Sequence, residues 1–288
     1  MLEMLWTPFI EFDFMRKALI GGLWLALSAP LIGAFLMFRK MSLTGDAMSH
    51  AILPGAAIGY LCAGLSVPAM TLGGLGAGTL VILFSGGISR ITKKSEDSSL
   101  AAFYLISVAL GVLLMSTSGN QLDLMQVLLG SILGIGIETM ALIITVSIIT
   151  LFGLAFLYRP LVMECVDRNF LASVSKLGPF AHFGFLLLTM FNLIAGFHAL
   201  GTLMSVGLMI LPAAASRYWA QKLSNILLLA VLFAILSIWI GLIISFEINI
   251  PSSSAIILTL GVFYLVSILF GKTSGIFWLY WKEKHLSA

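Results

Sequence analysis

The chain has little charge, little cysteine and no polar stretch long enough to make a soluble domain. Only 9% of its 288 residues are Asp, Glu, Lys or Arg, against about a quarter in soluble globular proteins. A surface so poor in charge excludes a water-soluble enzyme. The net charge of +3 is not gathered into a basic tail or an aromatic-interleaved basic run, so no nucleic-acid partner is expected. The two cysteines, Cys62 in an apolar segment and Cys165 in a polar one, make neither a disulfide framework nor a CxxC site. Catalytic signatures are missing as well, with no HExxH and no GxSxG. The tripeptide Gly271 to Thr273 ends like a phosphate loop, but Val266 stands where the first glycine must be, within a lipid-spanning run. Energy for any pumping must come from an ion gradient or from another subunit.

What is present is apolar surface. Hydrophobic residues make up 60% of the chain and the mean hydropathy is +1.11, which predicts an all-α polytopic membrane protein. A span needs about 20 apolar residues. That measure places nine helices near 18–38, 46–65, 68–89, 100–117, 139–158, 179–197, 199–216, 225–246 and 253–270. The glycine-rich stretch 124–137 is too short to cross and is expected to form a half-helix. Residues 1–15, which mix Trp6, Phe9, Phe12 and Phe14 with three acids, suit the membrane interface. The first apolar run is too long for a signal-peptide core and is expected to be retained. With the N-terminus outside, thirteen of the fifteen Lys and Arg residues fall inside and only Arg16 and Lys17 outside, so the C-terminus is expected to be cytoplasmic. Residues 1–288 are read as one transmembrane domain, with a cytoplasmic loop at 159–178.

Two ionisable residues interrupt this pattern at the start of the second expected span, in "SLTGDAMSHAILPG". Charge in a span is costly and usually faces a pathway or a partner. Asp46 and His50 are four residues apart, one turn of helix, and so share a face. A carboxylate with an imidazole suits Zn²⁺ or Mn²⁺, and the lack of a thiolate argues against Cu(I). One chain supplies half a shell; two on a two-fold axis supply two Asp and two His. The plainer alternative puts Asp46 in the first turn of its helix, stabilised by the dipole, with His50 as its hydrogen-bond partner. Pro54 and the Gly55/Gly59 pair would allow a bend and a close helix approach. His198, near the outer end of a span, could receive a cation at the mouth of a pathway. His182 and His285 read as interface residues, Glu138 could sit against the half-helix, and Asp123 and Glu247 could concentrate cations at the outer face.

The block "RKMSLTGDAMSHAILPGAAIGYL" resembles the second-helix signature of the permease subunits of zinc and manganese ABC importers. "EDSSLAAFYLISVALGVLLMS", "LDLMQVLLGSILGI", "LGTLMSVGLMILPAAASRYW" and "INIPSSSAIILTLGVFYLVSIL" are similar to later blocks of that family, in the same order. The resemblance covers roughly 14–269. It implies the permease fold of the cobalamin and iron-siderophore importers, with two permease copies, expected to be identical, around one pathway. It also implies two ATPase subunits on the cytoplasmic side and an extracytoplasmic metal-binding protein, all serving a bacterial inner membrane. The transported Zn²⁺ or Mn²⁺ would be substrate, with no permanently bound cofactor, and its ligands would be Asp46 and His50, with His198 assisting. The segment 164–179 resembles the family's coupling segment, and the block around His198 looks closest to members associated with zinc. The alternative expectation is a gradient-driven secondary metal transporter, in which Asp46 and His50 relay protons.

Overall fold

The structure is a computed structural model, described here for residues 2–64, 66–92, 96–117, 135–166 and 177–278. Those residues form helices and turns with no strand. In chain order the helices are α1 (Leu2–Glu11), α2 (Asp13–Phe38), α3 (Ser42–Ala51), α4 (Leu53–Ala63), α5 (Val67–Thr92) and α6 (Glu96–Thr117), then α7 (Ile137–Val166), α8 (Leu177–Leu200), α9 (Thr202–Ser216), α10 (Leu223–Ile248) and α11 (Ser252–Phe270).

Six of them, α2, α5, α7, α8, α10 and α11, are long and apolar enough to cross a membrane. The remaining expected spans are α6, the fifteen-residue α9, and α3 with α4, which together occupy the place of one helix. The break at Ile52 follows from Pro54. Without an N–H, Pro54 cannot donate to the carbonyl of His50 four residues back, so the regular ladder stops just beyond the histidine. Nearly all of the expected 124–137 half-helix lies outside the described residues.

α2 and α8 are the central helices. α2 packs against α7, α9 and α10, and α8 against α7, α9 and α5. Leu25 of α2, Ile143 of α7, Leu208 of α9, Ile238 of α10 and Ile256 of α11 share one core cluster. Phe35, Leu36, Met48, Leu157, Phe185 and Met209 share another, which reaches α3. Polar groups join the centre too: Ser28 donates to the Asn192 carboxamide oxygen at 2.8 Å, Asn192 donates to the Thr150 hydroxyl, and Ser147 donates to the Trp24 carbonyl at 3.0 Å. Where helices meet most closely, glycine permits it. A Cβ on Gly55 would overlap the Gly73 carbonyl, and one on Gly59 the Ala69 carbonyl, so α4 and α5 touch backbone to backbone along the expected small-residue face.

Two expectations need correction. The loop expected at 159–178 is helical at both ends, since α7 runs to Val166 and α8 begins at Leu177; residues 167–176 lie outside the described set. Leu157, Leu161 and Glu164 recur on one buried face of α7, which carries the helix past Pro160. His182 is not an interface residue. It is 3% exposed and packs against Arg39 and Glu164.

Candidate metal site

α3 begins at Ser42, which places Asp46 in its second turn and removes the reading of Asp46 as a first-turn dipole partner. The His50 Nε2 lies 3.7 Å from the Asp46 Oδ1, too far for a hydrogen bond. The spacing suits shared ligation, because two donors each about 2.1 Å from one cation at a tetrahedral angle stand roughly 3.4 Å apart. The Asp46 side chain is 57% exposed and that of His50 37%, so the pair opens on the surface of a single protomer. Asp46 also lines a hollow between α3 and α6 with Thr44, Leu100 and Tyr104.

α6 supports this pair at two points. The Tyr104 ring stacks on the His50 imidazole with centroids 6.1 Å apart. Three residues on, Ser107 donates to the Ala51 carbonyl at 3.1 Å, just before the break in the helix. Within α3 the Ser49 hydroxyl donates to the Asp46 carbonyl at 2.7 Å. The His50 Nδ1 is buried with no hydrogen-bond partner among the described residues. Tyr104 and Ser107 escaped the sequence reading, because nothing local links α6 to α3; their i,i+3 spacing inside an apolar helix was the one available signal.

His198 sits in the last turn of α8. Its Nδ1 lies 2.9 Å from the Ile194 carbonyl, which can only accept, so Nδ1 carries the proton and Nε2 keeps its lone pair. That Nε2 is buried and without a hydrogen-bond partner among the described residues. The neighbouring Phe197 clusters with Ala56 of α4 and Met70 of α5. No group of three His, Cys, Asp or Glu side chains is assembled among the described residues, so the structure does not bring His198 into one shell with Asp46 and His50. Glu138 and Glu247 are exposed near helix ends, while Asp123 and His285 lie outside the described residues. Cys62 and Cys165 are both free thiols.

The profile of the ABC 3 transport family matches residues 11–271. The chain belongs to that family. Manganese transport system membrane protein MntC of Listeria monocytogenes is 29% identical over 270 residues, covering 93% of this chain and 94% of that protein. Manganese import system permease protein ScaB of Streptococcus parasanguinis is 30% identical over 265 residues, covering 91% of this chain and 93% of that protein. Among solved structures, PsaBC from Streptococcus pneumoniae in complex with Fab superposes with a TM-score of 0.84 at 26% identity, over 99% of this chain and 100% of that one. An inward-facing metal-chelate type ABC transporter superposes with a TM-score of 0.72 at 13% identity, over 91% of this chain and 87% of that one, and shares the fold. This ABC 3 protein is a multi-pass inner-membrane permease of a metal ABC importer, and it is not itself an enzyme.

Proposed function

We propose that this ABC 3 permease carries a divalent transition metal inward through a pathway enclosed by two copies of the chain, with Asp46 and His50 of each copy as transient ligands. One observation carries the reading: two metal-type donors 3.7 Å apart, half open to the surface, on a chain that gathers no third donor beside them among the described residues. A second copy across a two-fold axis completes an Asp2His2 shell. His198 assists admission of the ion from the outer side. ATPase subunits bind the cytoplasmic side around 159–178, an extracytoplasmic metal-binding protein delivers the ion, and residues 1–288 act as one permease domain. The concentration of basic residues supports a cytoplasmic C-terminus.

The names of the relatives support manganese as the cargo. Zinc is the second reading, favoured by the likeness of the block around His198 to zinc-associated members. A carboxylate and imidazole shell accepts either ion, so donor type alone does not choose between them.

The test is uptake of radioactive manganese and zinc into vesicles holding the chain, with and without its ATPase and binding protein. Uptake that needs both partners and ATP, and that disappears in Asp46→Ala and His50→Ala complexes that still assemble, is the expected result. Uptake by the chain alone down a proton gradient, or normal uptake by both variants, overturns it.

A further inference from the structure

Among the described residues, a deeply buried cluster of ionisable side chains lies away from the metal site. Arg39 closes α2, Glu164 stands in the last turn of α7, and His182 in the second turn of α8. Their side chains are between 3% and 5% exposed. Arg39 Nη2 donates to Glu164 Oε1 at 2.8 Å and to the Nδ1 of His182, which is itself 3.7 Å from Glu164 Oε1. The guanidinium carbon lies 5.1 Å from the centre of the Phe185 ring. A buried ion pair is an inefficient way to stabilise a helix contact, because desolvation offsets most of the attraction. Its value lies in direction, since a bidentate-capable guanidinium fixes where its partners stand.

The placement supplies a use for that direction. Glu164 stands near the end of α7 and His182 near the start of α8, and Arg39 lies three residues before α3 begins. The intervening turn is closed tightly. Lys40 takes φ 58°, the Lys40 N–H donates to the Met37 carbonyl at 3.1 Å, and the Met41 N–H donates to the Leu36 carbonyl at 2.8 Å. The Met41 carbonyl then accepts from the Thr44 N–H at 3.1 Å, inside the first turn of α3. Asp46 thus lies only seven residues beyond Arg39, across a turn bonded back to α2 at Lys40 and Met41 and forward into α3 at Thr44.

We propose that Arg39, Glu164 and His182 form the joint that couples the last turn of α7 and the first turns of α8 to α3 and its metal ligands. The three are positioning residues. They touch no cargo; they make the ends of α7 and α8 and the start of α3 move as one piece. This rests on the importer reading above.

The experiment measures ATP hydrolysis and metal uptake together, in vesicles holding the full complex with its ATPase and binding protein. Glu164→Gln and Arg39→Gln are expected to hydrolyse ATP within about twofold of the wild type while importing at least tenfold less, so that the ratio of the two rates collapses. Manganese binding to the purified variants stays unchanged, and the double exchange Arg39→Glu with Glu164→Arg restores part of the ratio. A merely structural role lowers both rates in proportion, and that result overturns the joint, as does uptake at the wild-type ratio. Should the Gln variants fail to assemble, Glu164→Asp keeps the charge but shortens its reach, and the same ratio decides. A wild-type complex that fails to import with partners and ATP sinks the importer reading and the joint with it, whereas proportionate losses in the variants sink the joint alone.

Discussion

Tyr104 lies nearly parallel to His50, the two ring planes 27° apart. The contact crosses from α6 to α3 and limits how the imidazole turns toward Asp46. An aromatic stack contributes about 0.5–1.5 kcal/mol beyond its buried area. Tyr104→Ala is therefore expected to weaken manganese or zinc binding by roughly two- to tenfold, while Tyr104→Phe, which keeps the ring, binds as the wild type does. Metal titration of the purified chain checks this, and unchanged affinity in Tyr104→Ala would show that the ring does not orient the histidine.

The contact between α4 and α5 predicts opposite outcomes for two glycines on one helix. A Cβ on Gly73 would overlap the Gly55 carbonyl, and backbone cannot step aside as a side chain can. Gly73→Ala should cost about 1–3 kcal/mol, as overpacked cores do. A Cβ on Gly76, three residues further on, meets nothing within 4 Å. Gly76→Ala should be neutral or stabilising by up to about 1 kcal/mol, since alanine loses less backbone freedom in a helix. Thermal unfolding in detergent separates the two; equal midpoints would mean that α4 and α5 do not meet backbone to backbone.

Local features were legible in the sequence and long-range ones were not. The Asp46/His50 pair, the break associated with Pro54 and the Gly55/Gly59 face each lie within one or two helical turns, so periodicity reveals them. The partners of His182 are 143 residues away at Arg39 and on the far side of a connecting segment at Glu164. Glu164, surrounded by Met163, Cys165 and Asp167, resembles a loop acid until the helix is seen to carry it onto the buried face of Leu157 and Leu161. Tyr104 and Ser107 were hidden for the same reason. An apolar helix gives no sign of which neighbour it will support.

Asn192 is another such residue, buried among α2, α7 and α8 with Ser28 and Thr150 as partners. Interhelical hydrogen bonds within membranes contribute about 0.6 kcal/mol on average and up to about 1.7 kcal/mol. Asn192→Leu removes both bonds and leaves the buried Ser28 hydroxyl without this acceptor and the buried Thr150 hydroxyl without this donor, so a loss of about 1–3 kcal/mol is expected. Replacing Ser28, Thr150 and Asn192 together with apolar residues of similar volume should recover much of it. A denaturation series across the single and triple variants tests the network, and strictly additive losses would show that the three side chains act independently.

His198 offers the sharpest separation between binding on the way in and binding along the path. Its Nδ1–H is committed to the Ile194 carbonyl, leaving Nε2 as the only ring atom able to ligate. If that nitrogen meets the ion before Asp46 and His50 do, its loss reduces capture at low metal without slowing the committed steps. His198→Ala should then raise the metal concentration for half-maximal uptake by several-fold at an unchanged maximal rate, in the manner of lost uniform binding. His50→Ala, by contrast, should abolish the maximal rate. A fall in maximal rate for His198→Ala with the same half-saturation would place His198 inside the translocation path, and no change in either quantity would leave it as a packed end of α8 beside Phe197.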